Sequence, residues 1–125
     1  MRSHYIRRPE DMPAYSPANH SGTTNRRLVG PDVNGARYLE IIHGTLEAGG
    51  GAAEHAHAGL EQATYVLDGE ATVFIDGVAH RIKTGDLLFF PEGVFHEFKI
   101  DSGPIKLLVI YGPPYGENPS KVIKR

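Results

Sequence analysis

From Arg37 onward the chain is a series of short apolar runs cut by turn residues. The runs are 37–46 (RYLEIIHGTL), 62–67 (QATYVL), 70–75 (EATVFI), 78–83 (VAHRIK), 87–90 (LLFF), 94–100 (VFHEFKI) and 105–111 (IKLLVIY). They are rich in β-branched and aromatic residues, which suit a pleated, half-buried surface. Spacing of roughly 8–12 residues, with no helical period of useful length, predicts an all-β antiparallel sandwich or barrel. Asp68-Gly69 and Asp76-Gly77 each fall between two runs. Both predict hairpins, because a type I′ turn needs positive φ at both central residues. The glycine-bearing stretch 48–55 reads as a link between strands.

The ends have another texture. Residues 1–34 are rich in Pro, Gly, Asn, Ser and Arg and show no period. They predict an extended N-terminal arm, with a disordered tail as the alternative; Tyr15, Leu28 and Val29 give the arm apolar side chains to dock. Residues 35–112 form the barrel, and 113–125 a polar, proline-bearing tail. With 125 residues, this is one domain able to bury a core without staples.

Composition narrows the function. Gly and Pro together supply 24 residues (15 and 9), as expected of many turns joining short elements. No cysteine is present, which excludes a disulfide framework, a thiolate zinc site, a cysteine nucleophile and an iron–sulfur cluster. A formal net charge of -2 without a basic patch argues against nucleic acid as a partner. No apolar run approaches the roughly 18 residues of a membrane span. The basic N-terminus has no apolar stretch after it, so a cytoplasmic protein is expected.

The seven histidines carry the chemistry. His55 and His57 stand two apart, and in a strand such side chains share one face. They could grip one metal ion from the same side, or be two surface histidines at a loop edge. His96 falls inside an apolar run beside Phe95 and Phe98. There a buried imidazole needs a polar partner, and a metal is one.

These residues carry a resemblance. Gly49, five residues, His55-Ala56-His57, a short step, Gln62, six residues and Gly69 resemble the first cupin motif. Gly85, five residues, Pro91-Glu92-Gly93, two residues and His96 resemble the second. The resemblance implies a small cupin-like jelly-roll β-barrel holding one divalent transition metal ion (Fe, Mn, Ni, Co, Cu or Zn). His55, His57, Gln62 and His96 are the implied ligands, with two open positions. Two residues depart from the family pattern. Gln62 stands where Glu is usual, with Glu61 one place earlier, and Ile100 stands where Asn is usual. Strand neighbours point to opposite faces, so only one of the pair faces the metal. Spacing to Gly69 favours Gln62, and Glu61 would need a bulge. A set of neutral ligands leaves the full 2+ charge on the site, favouring an anionic small molecule.

Other candidates are weaker. Glu61, His43 and Tyr65 could move protons beside the metal, although His43 reads equally as an outer-face residue. Arg37 could clamp a carboxylate, and Phe90 and Phe98 could line the substrate pocket, against the simpler readings of solvated charge and plain core. His4 and His20, in the arm, carry no assigned role. The functional expectation is a metal-dependent enzyme, a dioxygenase or an isomerase/lyase, acting on a small organic acid or enolisable carbonyl compound. A non-enzymatic binding or sensing module with a ligand-anchoring metal is the other reading. A homodimer formed through the arm is expected.

Overall fold

The computed structural model describes residues 3–125. Its strands are β1 (Ala14–Tyr15), β2 (His20–Val29), β3 (Glu40–His57), β4 (Glu61–Asp68), β5 (Glu70–Ile75), β6 (Val78–Lys83), β7 (Leu87–Phe90), β8 (His96–Lys99), β9 (Ile105–Gly112) and β10 (Val122–Ile123). One four-residue helix, α1 (Pro31–Asn34), follows β2. All strand pairs are antiparallel, in the order β6-β5-β8-β3-β9-β4-β7, with β2 and β10 also joined to β3. This curled sheet is the jelly roll that the sequence predicts.

β3 organises the barrel. It runs for eighteen residues, merging the 37–46 run with what reads in sequence as a link. Its first half pairs with β2 and β9, and its second half with β8 and β10. The strand can bend between the two because of its glycines: a Cβ at Gly51 would lie 2.2 Å from the Phe98 carbonyl oxygen. Register shifts flank this bend on both partners. The bend carries His55 and His57 from one sheet towards the other.

The two Asp-Gly pairs part ways. Asp76 and Gly77 have φ of 48° and 79°, and Ile75 pairs with Val78 across them. This is the predicted two-residue hairpin. Asp68-Gly69 is not a hairpin: β4 pairs with β7 and β9 while β5 pairs with β6 and β8. There the chain crosses between sheets, and long-range pairing outranks the local turn signal.

The stretch without period also differs from expectation. It contains β2, which pairs with β3 from Thr23↔Leu46 to Arg26↔His43 and beyond. Pairing with β3, rather than an apolar alternation of its own, makes it a strand. Inside the barrel, Leu46, Val66, Val73, Phe90, Phe98 and Leu107 pack into one core. Strand alternation decides what faces inward. In β4, Gln62, Thr64 and Val66 are buried, while Glu61 and Tyr65 are exposed.

Candidate metal centre

Three imidazoles meet at the inner end of the barrel. His55 and His57 come from β3 and His96 from β8, with His55 registered directly opposite His96. All three are buried, and their ligand nitrogens lie within 4.8 Å of one another. Each ring is tied at Nδ1 to a backbone carbonyl: Ala53 for His55 at 2.7 Å, Lys121 for His57 at 3.1 Å and Val94 for His96 at 3.0 Å. A carbonyl oxygen can only accept, so Nδ1 carries the proton in each neutral ring. The Nε2 lone pairs are left free. Outer hydrogen bonds of this kind orient the histidines of metal sites and set their tautomer.

Gln62 lines the same cavity. Its Nε2 donates to Thr64 Oγ1 at 3.1 Å, in a fully buried contact. With the nitrogen end on Thr64, the oxygen end is the one left for the site. Gln62 Oε1, His57 Nε2 and His96 Nε2 are all buried without a hydrogen-bond partner. Buried polar atoms are normally satisfied, so orphaned acceptors on neighbouring residues fit a cation. The three buried histidines could hold a metal ion, and Gln62 Oε1 is an unpartnered acceptor on a residue that lines the same cavity.

The walls are unequal. Phe90, expected to line the pocket, packs in the core instead and stacks on His96, rings parallel within 1° and centroids 4.1 Å apart. Phe98 lines the cavity beside His96, and Tyr115 packs against His57 at 4.8 Å. Leu46, Leu107 and Val109 supply apolar wall, while Thr23, Asn25, Tyr111 and Glu117 supply polar groups. The enclosed space is narrow, about 40 Å³. At roughly 10–15 Å³ each, that is room for about three or four waters.

Burial sets the protonation states. It pushes His57 down to about 4 and His96 to about 3, and the neighbouring His55 adds to both shifts. His55 is lowered too, also by burial. The rings are therefore neutral and able to ligate at pH 7. Burial raises Tyr115 to about 12 and lifts Tyr111 well above the usual phenol value, so both phenols keep their protons. Glu117 is raised, first by burial and then by Glu40.

One prediction follows for metal-free protein. A histidine whose folded pKa is depressed stabilises the fold above its unfolded pKa of about 6.5 and loses that stability as pH falls. Between pH 7 and pH 5 the chelator-treated protein should lose on the order of 2 kcal/mol for each of His57 and His96. Urea midpoints at the two pH values measure this; equal midpoints would show that the rings titrate as exposed ones do.

Several candidates from the sequence lie elsewhere. Glu61 and Tyr65 are exposed on the outer face of β4, because the strand is regular and Gln62 takes the inward position. His43 lies between the inward-facing Ile42 and Gly44 on β3, so it too faces out, opposite Arg26 on β2. Arg37 is exposed before β3, its guanidinium over the Tyr38 ring. None of these four lines the cavity.

The structure brings in others. His20 lines the cavity from β2, its ring 6.4 Å from that of His55 and its Nδ1 3.1 Å from Thr23 Oγ1. Burial, then the neighbouring His55, lowers it to about 4. In β2, Thr23 and Asn25 are buried and Thr24 is exposed, an inner face that no period in this polar segment announces. Tyr115 and Glu117 sit in an irregular tail that has no period to read.

Fold and site together define a small jelly-roll barrel whose interior can hold a metal ion on three histidines. The chain belongs to the cupin family, the cupin domain model matching residues 42–111. An uncharacterized protein, MJ1618, of Methanocaldococcus jannaschii is 23% identical over 82% of this chain and 83% of its own. The tetracenomycin polyketide synthase protein TcmJ of Streptomyces glaucescens is 25% identical over 80% of this chain and 66% of its own. Among solved structures, the polyketide cyclase RemF of Streptomyces resistomycificus superimposes with a TM-score of 0.80 at 21% identity, over 99% of this chain and 85% of that one. No helix among the described residues is long and apolar enough to cross a membrane.

Proposed function

We propose that this cupin is a metal-dependent enzyme that moves a proton on a small enolisable carbonyl compound, in a redox-neutral isomerase or lyase reaction. One observation carries the reading: Glu117 lines the same cavity as His55, His57, His96 and Gln62. A divalent ion held by His55, His57, His96 and Gln62 would supply Lewis acidity toward a carbonyl oxygen. The rest belongs to the chain. Glu117 takes the proton as the C–H bond beside the carbonyl breaks and the electron pair moves toward oxygen, then returns it at a second atom. Its raised pKa suits that double task, because a transfer group works best with a pKa near the working pH. The protonated phenols of Tyr111 and Tyr115 offer hydrogen bonds to the developing charge. Leu46, Phe98 and Val109 keep bulk water out.

The names of the relatives support the same compound class. A polyketide, the substance in two of those names, is a chain of enolisable carbonyls. A dioxygenase reading explains the metal ligands equally well but leaves the Glu117 carboxyl without a task.

The test is proton exchange. Metal-loaded protein is incubated in D₂O with a panel of small ketones, β-diketones and 2-oxo acids, and deuterium uptake at the α-carbon is followed by NMR. At least one compound should exchange, and Glu117→Gln should slow it by 10²-fold or more, the usual size of a lost acid–base group. The narrowness of the cavity favours a second reading, a module that binds a small anion without turnover. Tight binding of panel compounds with no exchange would select that reading over the enzyme.

A further inference from the structure

A fourth histidine stands beside the three rings without joining them. His20 opens β2 and pairs with Ala52 of β3. Asn19 before it is left-handed, with φ of 65°, a conformation that asparagine tolerates. The Asn19 carbonyl accepts from the Ala53 N–H at 2.9 Å. Turn and pairing together fix where the ring goes. It is 6.4 Å from the His55 ring and lies outside the group whose nitrogens gather within 4.8 Å. His20 lines the inner cavity and also an open groove of about 430 Å³, which shares Asn19, Ala52 and Phe98 with that cavity. It therefore stands where the two spaces meet.

Hydrogen bonds assign its tautomer. Thr23 Oγ1 donates its one proton to the Ser21 carbonyl at 3.3 Å, so toward His20 it can only accept. His20 Nδ1, 3.1 Å away, is the protonated nitrogen. Burial keeps the ring neutral at pH 7, which leaves Nε2 with a lone pair. Among the described residues no hydrogen bond occupies that atom.

We infer that His20 Nε2 binds substrate, accepting a hydrogen bond from a hydroxyl on the carbon next to the reacting carbonyl, so that hydroxy-carbonyl compounds are taken in preference to plain ketones. This rests on the proposed function and narrows its substrate class. Spacing supports it first. With 6.4 Å between the rings of His20 and His55, a molecule whose carbonyl lies at the three gathered rings presents a hydroxyl one carbon away to His20. Space supports it next. Only about 40 Å³ is free inside, so any longer substrate runs outward past His20. The groove there has Gly50 and Gly51 in its wall, and neither brings a side chain to block it. An acceptor placed for a substrate hydroxyl also rejects the analogue without one, because the nitrogen is then left unpaired.

Titration calorimetry on metal-loaded protein tests the assignment through binding, without turnover. The probes are 3-hydroxypyruvate and 2-oxobutyrate, which match in heavy atoms and carry a hydroxyl and a methyl at the same place. The parent should bind 3-hydroxypyruvate about tenfold tighter. His20→Asn keeps an N–H for Thr23 but has nothing at the Nε2 position, and should bring the two affinities within about twofold. His20→Gln, whose longer side chain can set an oxygen near that position, should restore part of the preference. Metal content and melting midpoint are read on each protein, so that a lost preference is not mistaken for a lost ion or fold. If His20→Asn does not fold, His20→Phe, a ring without the lone pair, takes its place. Equal affinities in the parent overturn the proposal, as do an undiminished preference in the folded variant and binding of neither acid. A hydroxyl preference that needs His20, in a protein that exchanges no deuterium, would overturn the proposed enzyme alone and leave the role of His20 standing.

Discussion

His96→Ala is expected to reduce metal binding by several orders of magnitude while the barrel stays folded. His96 is one of three imidazoles whose ligand nitrogens gather within 4.8 Å, and alanine leaves one side of the ion without a donor. Phe90 stacks on that ring, so some packing is lost as well, on the order of 1–2 kcal/mol, the low end for a truncated buried side chain. The two effects separate: elemental analysis reads the ion, and circular dichroism reads the fold. Equal metal in parent and variant would make His96 a core histidine. Gln62→Glu tests the fourth donor from the opposite direction. A carboxylate in place of an amide should tighten divalent binding tenfold or more, since charge-assisted contacts are about twice as strong as neutral ones. Glu61→Gln, on the exposed face, should change neither. Titration calorimetry of the three metal-free proteins compares them directly.

How much of this was legible in the sequence depends on how local the cause was. His55 and His57 are readable because strand alternation puts residues two apart on one face. Gln62 is separable from Glu61 by the same rule, and the buried–exposed pattern of β4 follows it. The Asp76-Gly77 hairpin is local and reads correctly. Asp68-Gly69 carries the same signal and fails, because the pairing of β4 with β9 is decided by a strand some forty residues away. His43 misleads for a related reason: YLEIIHGTL alternates poorly, and only the partners of β3 show which face is the inner one. The tail is the least legible part. Tyr115, Glu117 and the Lys121 carbonyl all reach the site, yet no period in residues 113–125 announces it. What brings them there is a buried carboxylate.

That carboxylate is Glu40, and breaking its ion pair should be the most destabilising single change outside the core. Glu40 is 1% exposed. Its Oε2 accepts from Arg27 Nε, and its Oε1 accepts from the backbone N–H of Tyr115 and of Gly116, both at 2.9 Å. One side chain thereby ties β2, β3 and the tail together. Arg27→Ala leaves a buried negative charge with only two amide partners. Removing one member of a buried pair costs about 3–5 kcal/mol, which for a domain of this size lowers the melting midpoint by roughly 10–20 °C. Glu40→Gln should cost less, because an amide oxygen can still accept from the tail and Arg27 keeps Asp32 at 3.2 Å. The loss should reach the metal site too. Tyr115 packs on His57, and the Lys121 carbonyl holds its Nδ1, so a loosened tail frees the ring to turn. Metal affinity should fall about 10–100-fold in Arg27→Ala, as when an outer hydrogen bond of a ligand is lost. Differential scanning calorimetry and metal titration on the same preparations read both effects. A midpoint within two or so degrees of the parent would mean that the ion pair is replaced by water at no cost, and that the tail is held by something else.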